Sequence, residues 1–245
     1  MNIKVTIAYN GSNYHGFERQ KNAVGVQNVI EDALLKLTGE KTDIIGCSRT
    51  DTGVHAREFI FNFHTETELK INRIVTGLNH FLPSDIAAKS AETVPDDFHA
   101  RYSCTGKEYE YLIFCSKNRN PFYENLAFRY SVPIDENLLQ KELAVIVGKH
   151  DFRSFCGQNG IRENTVREIY AADIKRVGDI ITITISGDGF LYNMIRIIVG
   201  TLLEINEGKR EPGAMLHILN ALDRSAAGRT APPEGLYLNR VYYEK

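Results

Sequence analysis

Hydrophobic and polar positions alternate over residues 3–9 (IKVTIAY), a run rich in β-branched side chains, and predict a strand. Val26, Val29, Ile30, Ala33, Leu34 and Leu37 then recur at i, i+3, i+4 and i+7. That spacing predicts an amphipathic helix stopped by Gly39. Strand-like runs follow at 42–47 and 57–64, and the second, REFIFNFH, places Phe59, Phe61 and Phe63 on one face. A shorter helix fits 70–80, ahead of Pro83, and a strand fits 85–93. The order is β-α-β-β-α-β, a split βαβ arrangement.

A similar order recurs in the second half, without any repeat of sequence. GKEYEYLIFC at 106–115 reads as a strand, and 135–148 as a helix with Leu139, Leu143, Ile146 and Val147 inward. Strands are predicted at 166–176 and 179–187, joined by a turn at Val177-Gly178-Asp179. The run Leu191 to Ile205 is helical, with Ile195, Ile198, Val199 and Leu202 on one face. A helix at 212–222 and a strand at 236–243 complete the pattern. No low-complexity linker separates the halves, and the boundary is expected near 100–105. That gives an α+β chain of two halves, 1–103 and 104–245, whose sheets could join edge to edge around a cleft.

With 245 residues, 43% hydrophobic and 24% charged, the chain has the make-up of a globular protein with a full core. No apolar run approaches the roughly 20 residues of a membrane span, so no membrane partner is expected. The N-terminal segment lacks the apolar core and cleavage site of a signal peptide. The four cysteines form no C-x-x-C pair and read as free thiols of a reducing compartment, hence a cytoplasmic protein. The net charge of -2 argues mildly against a nucleic-acid partner, although a local basic cleft suffices to hold phosphates.

The densest chemistry lies in GCSRTDTGVHA, residues 46–56. Asp51 occupies a Gly-containing turn beside Arg49, with Thr50, Thr52, His55 and Arg57 close in sequence. An adjacent guanidinium would keep the carboxylate ionised, ready to act as nucleophile or base. A plain turn aspartate bonded to local N–H groups, with Gly53 at positive φ, is the alternative. Asp51-Thr52-Gly53 also spells the motif of an aspartic protease, but such enzymes share a proton between two aspartates, and Asp188-Gly189 lacks the hydroxyl residue.

Tyr109 and Tyr111 point to one face of their strand, together with Lys107. They are either packing residues or an aromatic platform for an unstacked base, with Lys107 near a phosphate. Arg196 is the lone basic residue within the helical run LYNMIRIIVGTLLEI, as a snorkelling side chain or as the partner of a buried carboxylate, with Asp51 the candidate. Gly200, one turn on, would permit close backbone approach. In Phe98-His99-Ala100-Arg101, the aromatic residues read as packing. Arg101 reads equally as a phosphate contact or a structural ion pair. The seven histidines show no metal-ligand spacing, and no phosphate-binding glycine loop is present. A non-catalytic RNA-binding module would account for Tyr109 and Tyr111, but not for Asp51 or Arg196, and the basic, Phe-rich run of such modules is missing.

Several segments together resemble the TruA family of tRNA pseudouridine synthases: YNGSNYHGFERQ at 9–20, Val26-Gln27, SRTDTGVHA at 48–56, VPDDFHARYS at 94–103, KEYEY at 107–111, GFLYNMIRIIVGTLLEI at 189–205 and APPEGLYL at 231–238. The resemblance spans nearly the whole chain. It implies a homodimer, each chain with two ferredoxin-like halves around an active cleft and joined through a mainly antiparallel central sheet. It implies a cofactor-free and metal-free isomerase converting uridine to pseudouridine at positions 38, 39 and 40 of the tRNA anticodon stem-loop. Asp51 is then the catalytic aspartate, Arg196 its basic partner and Tyr109 the tyrosine on the target base. Arg49, Arg101, Lys107 and His55 complete the expected contacts to substrate. Asp51 could attack C1′ or C6, or remove a sugar proton. Two departures stand out. The usual Gly-Trp-Gln-Arg-Gln is Gly16-Phe17-Glu18-Arg19-Gln20, and Thr52 replaces the alanine common after the aspartate. The Glu18 change is expected to weaken a phosphate contact.

Overall fold

The alternation at the N-terminus forms strand β1 (Asn2–Tyr9), whose Ile3, Val5, Ile7 and Tyr9 turn into the core. The computed structural model describes residues 1–157 and 164–243. These fall into two compact units, one of Met1–Thr105 with the stretch from Tyr237 onward, the other of Gly106–Leu236.

In the first unit β1 is followed by α1 (Val26–Thr38), a short β2 (Ile45–Gly46), β3 (His55–His64), α2 (Ile71–Phe81) and β4 (Ile86–Val94). β1 pairs antiparallel with both β3 and β4, and β2 pairs antiparallel with β3, giving the order β4-β1-β3-β2. α1 buries Val26, Ile30, Ala33 and Leu34 and ends at Gly39, whose φ of 75° closes the last turn onto Leu35. α2 meets it at Gly77, where a Cβ would lie 2.4 Å from Leu37. The strand expected over 42–47 reduces to the two residues of β2; the Cys47 N–H still donates to the Ile60 carbonyl (2.8 Å) before the chain enters the loop that carries Asp51.

Two buried asparagines organise the end of this unit. Asn62 Nδ2 donates to Asn2 Oδ1 (3.0 Å), and Asn62 Oδ1 accepts from the Ala100 N–H (2.8 Å). Asn2 Nδ2 donates to the carbonyls of Pro95 (3.0 Å) and Phe98 (2.9 Å). The final strand, β10 (Leu236–Tyr243), pairs in parallel with β3 through Tyr237 and Leu238. Its Tyr243 hydroxyl donates to the Ala100 carbonyl (2.6 Å). From Tyr237 onward the chain belongs to the first unit, whereas the sequence placed it in the second half.

The second unit carries β5 (Cys104–Cys115, which begins in the first unit), β6 (Phe128–Tyr130), α3 (Glu136–Ala144), β7 (Gly148–Asp151), β8 (Val166–Val177), β9 (Ile180–Gly187), α4 (Met194–Asn206) and α5 (Ala214–Ala221). β5, β9, β8 and β7 pair antiparallel in that order, and β6 lies parallel to β5. Ile181, Ile183 and Ile185 of β9 are wholly buried, as their alternation requires. The helix expected over 135–148 stops at Ala144. Gly148, with φ 102°, starts β7 instead, which neither periodicity nor composition announced. Glu142, 4% exposed, survives in the core because its carboxylate accepts from the N–H groups of Gly213 and Met215 at the start of α5. All four cysteines are free thiols.

Burial pushes the Tyr237 phenol up to about 12, against a downward pull from Arg57. The folded chain thus holds this proton more tightly than an unfolded tyrosine, which titrates near pH ~10. The stability linked to it is complete below about pH 10 and is lost as pH rises through 12. Tyr237→Phe is expected to flatten that loss, read as denaturation midpoints that fall less steeply than wild type over this alkaline range.

Candidate active site

Asp51 lies half-buried in the loop joining β2 to β3. The Val54 N–H donates to the Asp51 carbonyl (3.1 Å), closing a turn, and Gly53 takes the left-handed φ of 77° that the turn needs. A second segment, residues 10–17, wraps the loop. The Gly11 N–H donates to His55 Nδ1 (3.0 Å), the Gly53 N–H to the Tyr14 carbonyl (3.2 Å) and the Phe17 N–H to the Thr50 carbonyl (3.2 Å). The Tyr9 hydroxyl and Thr50 Oγ1 share a further bond of 2.9 Å. The two backbones are in contact, so a Cβ on Gly11 would sit 1.9 Å from the Val54 carbonyl oxygen. Phe17, 2% exposed, stacks on Phe59 with ring centroids 4.0 Å apart and packs over Gly46. A phenylalanine therefore fills the place where the related motif carries tryptophan. The carboxylate of Asp51 is carried on a backbone held from both sides.

His55 is 1% exposed. Its Nδ1 accepts from Gly11, which puts the proton of the neutral ring on Nε2. The ring stacks on Tyr237 at 4.6 Å, and Arg57 covers the same tyrosine at 4.9 Å. The structure thus places His55 as a support of the Asp51 loop. The Arg49 guanidinium goes to the Glu18 carboxylate through Nε, where the sequence suggested Asp51. Both side chains are about half exposed. Arg101 follows Ala100, which Asn62 and Tyr243 hold from two sides. It is exposed and makes no ion pair among the described residues. Arg49 and Arg101 line one groove of about 260 Å³, floored by Phe17 and Gly46 and flanked by His99 and Tyr102.

In the second unit, Tyr109 is 7% exposed and meets Phe190 edge-on at 5.1 Å. Lys107, half-buried, lies opposite Gly187 in the β5–β9 register. Tyr111 is not part of an exposed platform. It is wholly buried, and its hydroxyl donates to the Pro232 carbonyl (2.7 Å). Burial drives its pKa well above the usual tyrosine value, so it stays neutral.

Arg196 does not snorkel. Its Nε donates to the Ala231 carbonyl (2.8 Å) and its Nη1 to Asn193 Oδ1 (2.8 Å). The Ala231 N–H returns a bond to the Arg196 carbonyl (2.9 Å). Residues 228–232 form a strap along α4, admitted by Gly200, where a Cβ would lie 1.9 Å from the Arg229 carbonyl oxygen. Thr201 Oγ1 accepts from the Gly228 N–H, and Arg229 pairs with Glu207. Asn193 adopts φ 60°, a left-handed conformation unusual outside glycine. Sequence reading passed over Asn2, Asn62 and Asn193, since a lone asparagine carries no periodic signal. The helix read from Leu191 begins at Met194, and the left-handed tolerance of asparagine is the signal that could have marked Asn193 as its start.

Among the described residues no group of three or more His, Cys, Asp or Glu side chains is arranged to hold a metal ion, and no helix is long and apolar enough to cross a membrane.

A sequence profile described as tRNA pseudouridine synthase matches residues 5–103 and 144–244. The chain therefore belongs to the tRNA pseudouridine synthases, a family of isomerases. Within that class it is similar over its length to proteins named tRNA pseudouridine synthase A. One from Acetivibrio thermocellus is 44% identical, and one from Thermoanaerobacter sp. (strain X514) is 43% identical. Each match covers 99% of this chain and 99% of the relative. A solved chain titled "Crystal Structure of a Cbf5-Nop10-Gar1 Complex" aligns with 96% of this chain and 57% of its own at 11% identity, but its TM-score of 0.39 is too low to bear on the fold.

Gly11→Ala forces the wrapping segment off the Asp51 loop. The change is expected to destabilise the protein by about 1–3 kcal/mol. It should also reduce turnover at temperatures where the protein remains folded, read by thermal melts beside an activity assay.

Proposed function

We propose that the protein isomerises uridine to pseudouridine in the anticodon stem-loop of tRNA, at positions 38, 39 and 40, with Asp51 as the sole catalytic carboxylate and no cofactor. The observation that carries this reading is the Asp51 turn, held by Gly11, Tyr14 and Phe17 in a chain whose family acts as tRNA pseudouridine synthases. In this reading the two units are ferredoxin-like halves, and the order β4-β1-β3-β2, antiparallel throughout, supports that description for the first. The working form is a cytoplasmic homodimer.

The reaction breaks the N1–C1′ glycosidic bond, turns the uracil, joins C5 to C1′ and releases the C5 proton, which N1 replaces by gaining one. A stacked base cannot rotate, so the nucleotide is first extruded. Glycoside hydrolysis ordinarily needs two carboxylates, one of them to activate water. Here water is kept out and the base kept in, so one suffices. Attack at C1′, attack at C6 and removal of a sugar proton all begin from an ionised Asp51. Arg196, tied by Asn193 and the Ala231 carbonyl, supplies the positive charge that keeps it so. Tyr109 stacks on the uracil, and its hydroxyl helps the C5 proton leave. Arg49, Arg101 and Lys107 meet phosphates, and His55 supports the loop.

The test is tritium release from tRNA transcribed with C5-tritiated uridine. Wild type should release it, and Asp51→Asn should bind the tRNA yet release none; turnover by that variant would remove Asp51 from the mechanism. Tyr109→Phe keeps the ring and should bind normally but turn over slowly. Asn193→Gly accepts the φ of 60° and removes the bond to Arg196. Its turnover should fall about 10-fold or more, as expected for a lost hydrogen bond to a charged group, while its melting temperature stays close to that of wild type.

A further inference from the structure

The groove beside the Asp51 loop holds two guanidinium groups with different histories. Arg101 is exposed and carries no carboxylate partner among the described residues. Arg49 is already occupied by Glu18, with the two side chains 55% and 47% exposed. Nearby Arg19 is spoken for, by Asp43 at 2.9 Å and Glu31 at 3.4 Å. The rim is aromatic. Tyr102 is 78% exposed, and its ring lies 4.2 Å from that of His99. His99 Nδ1 accepts from the Arg101 and Tyr102 N–H groups (3.2 and 3.3 Å), fixing the turn that presents both. Cations beside a solvent-facing aromatic ring fit a nucleotide, with its phosphate on the arginines.

We propose that this groove is a phosphate subsite for the RNA, outside the reacting nucleotide, and that Glu18 is its internal competitor. The carboxylate holds Arg49 in the free protein and yields it when an RNA phosphate enters. The exchange is feasible because an exposed ion pair is weak and screened, whereas an arginine–phosphate contact is charge-assisted and can be bidentate. When Arg49 leaves it, Glu18 takes back a counterion, offsetting one of those the RNA releases. Glu18 therefore lowers both the affinity and the salt dependence of binding. The inference rests on the RNA substrate proposed above.

The experiment uses the full chain and a tRNA transcript with uridines at 38 to 40. Dissociation constants are measured by fluorescence anisotropy over a series of potassium chloride concentrations, for wild type, E18Q, R49Q and the double variant. E18Q should bind roughly two- to five-fold more tightly, the size of a lost surface ion pair. Its plot of log affinity against log salt should be steeper than that of wild type, by less than the slope of about 0.7–0.9 for a whole phosphate contact. The gain should vanish in the R49Q background. An E18Q variant that binds as wild type overturns the proposal, and so does a gain that persists without Arg49, because the effect is then general charge repulsion. Tritium release by wild type, measured alongside, separates the two failures: release with no E18Q effect removes Glu18 as competitor and leaves the isomerase standing.

Discussion

The bond from the Gly11 amide to His55 Nδ1 is the constraint on which the Asp51 loop depends. It joins the first turn after β1 to the first residue of β3, and the loop spans the distance between β2 and that residue. With the turn and β3 fixed together, the carbonyls of Tyr14 and Thr50 fall opposite the amides of Gly53 and Phe17, and the remaining bonds follow. No side chain fits between the two backbones, which is why Gly11 is a glycine although its φ is ordinary.

The same device serves α4. Gly200 removes a side chain so that a carbonyl of the strap can touch the helix, and the strap then returns two bonds to Arg196. In both units a charged side chain is carried by backbone held against backbone.

Much of the fold was legible in the chain where an element buries one clean face, although β3 and α4 are buried on most sides. β1, β9 and α1 follow their periods closely, and Gly39 ends its helix as expected. β6 and β7 were not legible, being too short for any period to register. The Asp51 turn announced itself through its density of polar residues. Its partners did not: Arg49 has one neighbour in sequence and another, Glu18, in space, and only the fold decides between them. Tyr109 and Tyr111 share a strand face, yet Tyr111 is roofed by Pro232 and Gly235, residues far away in the chain. Same-face placement follows from period 2, but exposure follows from what the rest of the chain lays on top.

β10 gives the first unit a discontinuous sequence. Tyr237, on which His55 stacks and over which Arg57 lies, is synthesised after the whole of the second unit. During translation the N-terminal elements therefore emerge and wait: β3 has no β10 beside it, and the ring that supports the Asp51 loop has nothing to rest against. Support of the Asp51 loop by this ring is thus tied to synthesis of the last strand. A product truncated before Tyr237 lacks the ring on which His55 stacks.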